Sequence, residues 1–483
     1  MRVGSLVLLV AVLGVHRSSI AEEAKPDVPA APRFVISKET TYVAGPVRAD
    51  GTIDYVEAIN ERLSKGVTKE NNAAISLLQA AIAEDPMQAR HYAKVCQKLG
   101  IAPPEQAKGA GLPPNDPAGL DETLKGLWTA DKAPQVAEWL KAMDGQLKLL
   151  VDASKHDRYY MPLVREQASD PLVSVLLPHL SRQRHLCNAL KSRAMLRLGN
   201  EEMDGFCDDV IAIVRIGRLT THAPTLVENL VGTACEASGL DAMKIAATGR
   251  WLSEAQVDRL LKELRAAPAR RPMYDVFEGG ERGFLLEFLQ TAAVHGVGEA
   301  QKMLGALGQG NAITLAPVDP VAKDWNAAMR KANGWYDQLA EAGKKPSYVE
   351  RMRACKQFMR DIEALKVKYD GWKAAFAPVE DRMIALVMPS MERAYTNETK
   401  IAANLELTET ALALSGFRSR TAEYPPELKL LVPAYFKETP VDRFNDYPLT
   451  YRLEGNGYVL LSVGPDEVEG GAKGDDLVVE VRK

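Results

Sequence analysis

Glu278 and Glu281 are the side chains best spaced for acid–base chemistry in this 483-residue chain, because they flank the glycine pair Gly279 and Gly280. Two carboxylates about a flexible step suit general acid and general base roles if a groove presents them to a substrate. The same pattern suits the start of a helix, where the dipole favours acidic residues. The seven histidines offer less. His91 and Cys96 stand five apart, and His179, His185 and Cys187 lack the three- or four-residue spacing that aligns ligands on one helix face. No HExxH, CxxC or GxSxG pattern occurs. The run Gly305, Ala306, Leu307, Gly308, Gln309, Gly310 lacks the Lys-Ser/Thr and the preceding strand of a phosphate loop, and reads as a flexible loop.

Charge and cysteine usage narrow the classes. With 60 basic and 64 acidic residues and a net charge of −4, the chain lacks the electropositive excess that a nucleic-acid backbone demands. Its one basic cluster, Arg265, Arg270 and Arg271, lies among prolines and reads as a solvated helix exit. Five cysteines leave at least one thiol unpaired. Cys187 and Cys207 flank a turn at Gly199 and Asn200, but unequally, by about five residues or ~7.5 Å along antiparallel helices, beyond disulfide reach. Cys207 and Cys235 stand nearly symmetrically about a turn near His222 and are the pair to test, against free buried thiols.

The amino terminus carries an address. Met1 and Arg2 precede an apolar run from Val3 to Val15, and Ser19 and Ala21 supply small residues at a cleavage site after Ala21. The run is shorter than the ~20 apolar residues of a membrane span, so residues 1–21 are expected to be a cleaved signal peptide. The expectation is an exported protein, periplasmic or extracellular, with no stable membrane insertion after cleavage.

The elements that would position any site are mainly helical. Residues 22–51 form a Pro- and Ala-rich leader, and residues 52–378 a helical body. Ile53, Val56, Ile59 and Leu63 start the helical spacing, and a second helix is expected from Asn71 to Ile82. Prolines between Ile101 and Gly119 impose a loop. Leu180, Cys187, Leu190, Ala194 and Leu198 form a stripe closed by Gly199 as a left-handed cap, with Glu201 and Glu202 in the next first turn. Pro224 suits the first turn of a further helix, and Ser253 with Gln256 makes a capping box. More helices are expected at Gln135–Ser154, Gly283–His295, Val321–Ala342 and Tyr348–Phe376, with a last one from Val379 to Phe417, kinked at Pro389. The fold class expected is mainly α: irregular stacked helical hairpins, tetratricopeptide-like in part, with a small C-terminal α+β module.

That module occupies the end of residues 379–483, after the long helix. Leu449, Tyr451 and Leu453 alternate as in a half-buried strand, Gly455, Asn456 and Gly457 permit a reversal, and Tyr458–Val463 and Leu477–Val481 complete a three-stranded antiparallel sheet. The stretches Tyr424-Pro425, Leu431-Val432-Pro433, Pro440-Val441-Asp442, Pro448-Leu449-Thr450-Tyr451 and Tyr458 to Asp466, followed by Gly470-Gly471 and Asp475-Asp476, stand in an order that resembles the globular domain of major pseudopilins of the type II secretion system. Where that family begins with an apolar helix, this chain has the amphipathic stretch around Arg393 to Leu414. The resemblance implies a calcium site in the loop between the last two strands, with Asp466, Asp475 and Asp476 as oxygen ligands and carbonyls near Val463 completing the shell. The alternative is a solvated acidic turn that keeps the sheet edge soluble. In its Asp50 to Tyr55 and Glu70 to Ala74 stretches the body resembles a group of exported bacterial helical proteins with no assigned activity.

Two functions follow as expectations. One is a non-enzymatic exported scaffold that binds an unidentified protein partner at the cell envelope or in connection with secretion. The other is an exported hydrolase of cell-envelope polymer that uses Glu278 and Glu281 in a groove.

Overall fold

The computed structural model describes residues 34–81, 86–103, 116–175, 177–249, 251–305, 324–368, 378, 381, 391–470 and 474–482. The expected signal peptide, the Gly308–Gly310 glycines and the Pro389 kink lie outside them. Among the described residues no helix is long and apolar enough to cross a membrane.

Helices dominate, as their apolar spacing requires. They are α1 (Tyr55–Leu63), α2 (Ala73–Ala81), α3 (Pro86–Leu99), α4 (Leu120–Thr123), α5 (Pro134–Ala142), α6 (Asp144–Ala153), α7 (His179–Gly199) and α8 (Met203–Thr220), followed by α9 (Leu226–Thr248) and α10 (Glu254–Ala266). The second half continues with α11 (Met273–Val276), α12 (Arg282–His295), α13 (Val297–Gly305), α14 (Trp325–Gly343), α15 (Tyr348–Lys368) and α16 (Met391–Thr421). A three-stranded antiparallel sheet closes the chain, in the order β1 (Thr450–Glu454), β2 (Gly457–Ser462), β3 (Leu477–Val481).

Several local expectations change on inspection. The single helix expected over Gln135–Ser154 is two, broken at Met143. Gly199 is not a left-handed cap: it lies in the last turn of α7, where a Cβ would stand 2.1 Å from the Trp128 carbonyl oxygen, and Glu201 adopts the positive φ instead. The capping box at Ser253 and Gln256 is present, and a second one joins Thr225 to Glu228 at the start of α9, after Pro224 rather than through it. Arg270 and Arg271 are not solvated. Arg270 holds the buried Glu236 carboxylate at 2.5 and 2.7 Å, and Arg271 donates to the carbonyls of Ala223 and Asp275.

Two cores divide the molecule, and chain order does not separate them. The first gathers α2–α10, the later part of α16 and the sheet; the second gathers Phe34, α1, α11–α15 and the Ala394–Tyr395 end of α16. Phe34 to Gly51, expected as an extended leader, are packed on this second core: Phe34, Thr40 and Thr41 are buried, and Asn333 donates to the carbonyls of Glu39 and Thr40. At about 1.5 Å per residue, the 31 residues of α16 make a spine long enough to serve both cores.

The C-terminal sheet is part of the body rather than an appendage. Every residue of β2 is buried. Alternation sends Tyr458 and Leu460 into the first core and Val459 and Leu461 into a third cluster with Tyr348, Met352, Ala403 and Phe444. A strand clad on both faces reads as a continuous apolar run, as Tyr458 to Leu461 does.

Candidate functional site

The structure brings together the three acidic residues expected to hold a cation. Carboxylate oxygens of Asp466, Asp475 and Asp476 lie within 4.8 Å of one another, in the loop from β2 to β3. Two devices fix the loop's ends. Asp442 is buried, and its carboxylate accepts from the Ser462 hydroxyl (2.7 Å), the Phe444 amide (3.0 Å) and the Val463 amide (2.7 Å), fastening the chain where β2 stops. Gly464 then takes φ +70°, and a Cβ there would stand 2.5 Å from the Asp475 carbonyl oxygen, so only glycine lets the two arms of the loop close.

Within the loop some oxygens are used and others are not. Asp466 Oδ1 accepts from the Val468 amide at 3.0 Å and Asp476 Oδ2 from the Gly470 amide at 2.8 Å. Asp475 Oδ1 and Asp476 Oδ1 are buried and without a hydrogen-bond partner. Carboxylates this close repel one another, and a hard cation that takes oxygen ligands suits the donor set, with carbonyls or water making up six to eight ligands. Residues 471–473 of the same loop are outside the described set.

The carboxylates expected to be a catalytic pair are otherwise employed. Glu278 to Glu281 do not start a helix but lie within a single π-helical turn, Phe277–Glu281, that runs from α11 into α12. The glycines are there for close approach. A Cβ on Gly279 would meet an Arg62 Nη at 2.1 Å, and one on Gly280 would meet the Pro224 carbonyl oxygen at 2.4 Å. The Glu281 carboxyl is enclosed, though the residue keeps some surface, and accepts from the Leu226 amide at the start of α9 at 3.1 Å. Burial raises its pKa above the usual range, against the opposing pull of that amide. Glu278 points instead toward Lys344, at 3.9 Å. The two glutamates share no groove: one seats a helix and the other forms a surface pair.

A cleft of about 560 Å³ lies between the Arg48–Thr52 turn, residues 168–174 and helices α12 and α13. Nothing in the sequence spacing pointed to it. Glu287, at its floor, accepts from Arg48 Nη2 (2.8 Å) and the Leu172 amide (2.5 Å); burial raises its pKa, opposed by these same groups. Arg165 forks onto Asp54 at 2.7 and 2.9 Å. Asp50 accepts from Thr52 and from His295 Nε2 at 2.9 Å; burial alone would raise its pKa, but those hydrogen bonds hold it below the usual range. This network ties the segment before α1 to α12, and its carboxylates are satisfied by the chain itself. A signal existed in α12, where Arg282, Glu287 and Gln290 interrupt an otherwise apolar helix and all are buried.

Of the histidines whose spacing spoke against metal ligation, His91 pairs with Glu166 at 3.2 Å, His185 with Asp116 at 2.6 Å, and His179 lies 3.6 Å from the buried Glu228. Cys207 and Cys235, the pair singled out for a disulfide test against free buried thiols, are not bonded: all five cysteines are free and buried. No protein-family model, no curated protein and no solved structure matches this chain.

Proposed function

We propose that this protein is a non-catalytic helical scaffold, exported from the cytoplasm, that acts by binding another protein and seats a calcium ion in its C-terminal loop. The observation that carries the reading is the convergence of Asp466, Asp475 and Asp476, two of them with a buried, unpartnered oxygen, on a module sunk into the helical core. Such a loop costs charge repulsion when empty and gains rigidity when a cation neutralises it. The resemblance to major pseudopilins supports the same ion and a place near the secretion apparatus. Docking is supported by where apolar surface is left open. Among the described residues, five of the ten large exposed apolar side chains, Leu430, Tyr447, Leu453, Val468 and Val478, belong to the C-terminal module. Against the hydrolase stands the separation of the two carboxylates, Glu281 seating the start of α9 and Glu278 paired at the surface with Lys344.

Isothermal titration of the full chain with calcium chloride tests the ion. One site per chain is expected, lost in Asp475→Asn together with Asp476→Asn; no heat at millimolar calcium contradicts it. Docking is tested with full-length Leu453→Ser with Val478→Ser, since removing the module would strip the first core. Capture from the exported fraction should lose its partner in this variant, and an unchanged partner set contradicts the assignment of binding to the module.

A further inference from the structure

We infer that the open edge of β1 is a self-association surface, on which a second copy of this chain lays its own β1 antiparallel and extends the sheet across a two-fold axis. The hairpin fixes which backbone groups face that edge. Gly455 takes φ +58° at the first position of a two-residue turn that closes on Glu454 and Gly457. Such a turn makes its flanking residues a hydrogen-bonded pair, and bonded pairs alternate along an antiparallel ladder. Thr450, Arg452 and Glu454 therefore spend their backbone groups on β2, and the N–H and C=O of Tyr451 and Leu453 face away from it. No other backbone group of the described residues bonds to them. Among the described helices and strands only β2 packs on β1 at length, whereas β3 also meets α9 and α16. Arg452, Leu453 and Glu454 are all exposed.

Charge complementarity selects a second copy as the occupant. Open edges are normally blunted by proline, a bulge, a covering segment or charges that repel their like. The charges of β1 are instead opposite in sign and two residues apart, Arg452 and Glu454. Outward groups must meet outward groups, so two copies can pair about Tyr451, Arg452 or Leu453. About Arg452 the two guanidiniums stand directly opposite and repel. About Tyr451 the arginine meets Thr450, and Glu454 falls opposite Pro448. About Leu453 each Arg452 stands opposite the other copy's Glu454, and the two Leu453 residues exchange N–H to C=O bonds on the axis. Leu453 projects from the opposite face of the strand, so the same register sets two leucines, each 46 % exposed alone, side by side. The contact is isologous and closes at two copies. Arg452 has an own-chain partner in Glu469, but both are exposed, so pairing adds a second carboxylate to a solvated guanidinium and strips no buried bond. This inference names an occupant for one end of the docking region, and it needs neither the calcium ion nor a foreign partner.

Sedimentation velocity of the purified full chain, alone and over a range of concentration, tests the pairing. The wild type is expected to pass from monomer to a species of twice the mass. Leu453→Pro should stay monomeric wherever the wild type pairs, with unchanged circular dichroism, because the N–H it lacks faces away from β2. Arg452→Glu and Glu454→Arg should each be monomeric alone. Mixed together they should form the doubled species, since the mixture restores opposite charges at both positions. Should Leu453→Pro fail to fold, the two charge variants decide. Wild-type protein that stays monomeric at every concentration, a doubled species in folded Leu453→Pro or in either charge variant alone, or none in the mixture overturns the inference.

Discussion

Gly232→Ala should destabilise the protein, although alanine is the better helix former. In mid-helix the exchange gains roughly 1 kcal/mol from backbone propensity. At this position, however, the new methyl carbon would stand 2.6 Å from the Gly217 carbonyl oxygen in α8 and 3.0 Å from the amide nitrogen of Thr221, which caps that helix. A carbon rests no closer than about 3.3 Å to such an oxygen, so α8 and α9 must part by roughly 0.7 Å. Parting them also disturbs the buried Arg218–Glu236 pair, bonded at 2.7 Å across the same interface. Overpacking of this kind costs about 2–3 kcal/mol where backbone cannot yield, leaving a net loss of about 1–2 kcal/mol. The paired control is Gly334→Ala in α14, where the added Cβ meets nothing within 4 Å. That variant should gain roughly 0.5–1 kcal/mol. Urea unfolding followed by far-ultraviolet circular dichroism measures both. A Gly232→Ala protein as stable as the wild type, or more so, would refute the claim that backbone contact holds these helices together.

Other substitutions probe the carboxylates, a cap and the sheet. Burial raises the Glu281 pKa, so its contribution to stability is intact below the ordinary carboxyl range and is lost as pH rises through the raised folded value. Glu281→Gln, neutral at all pH, should therefore raise the thermal midpoint near pH 8 and lose that advantage near about pH 4; a gain that grows on acidification would contradict the sign. Thr225→Ala removes the hydroxyl that caps α9 and donates to buried Glu228 at 2.8 Å, and should cost about 1–2 kcal/mol in urea unfolding. An unchanged midpoint there would show the capping box to be idle. Tyr458→Phe deletes a buried hydroxyl that has no partner and should be neutral or stabilising by up to ~1 kcal/mol, so a clear loss of stability would reveal an unrecognised bond.

How far the sequence carries is visible in particular residues. Strand positions were legible because Leu449, Tyr451 and Leu453 alternate and Gly455 and Gly457 mark the reversal; the observed strands fall within a residue or so of those bounds. Ser253 and Gln256 announce α10 because a capping box is a local device. Long-range pairings had no such local mark. Gln290 Nε2 and Oε1 bond both backbone groups of Ile53 at 2.7 and 2.8 Å, across 237 residues, and no periodicity encodes that. Arg270 was misjudged for a related reason: the prolines beside it are local, whereas its partner Glu236 lies a helix away and fully buried. At the candidate site, the three aspartates came from the pseudopilin resemblance, but Asp442, which fastens the loop to the end of β2, was visible only as part of a motif without a role.

The burial of the sheet within the helical core underlies the anchoring of the acidic loop at the end of β2, the choice of full-length variants and the proposal of docking at the module. Hydrogen exchange of the full chain, read by mass spectrometry, tests it most directly. Amides of Gly457–Ser462 should exchange as slowly as those of α9 and the Ile401–Leu414 part of α16, and should gain exchange at the same denaturant concentration. Exchange of the strand while those helices stay protected would show an independent appendage and contradict the account.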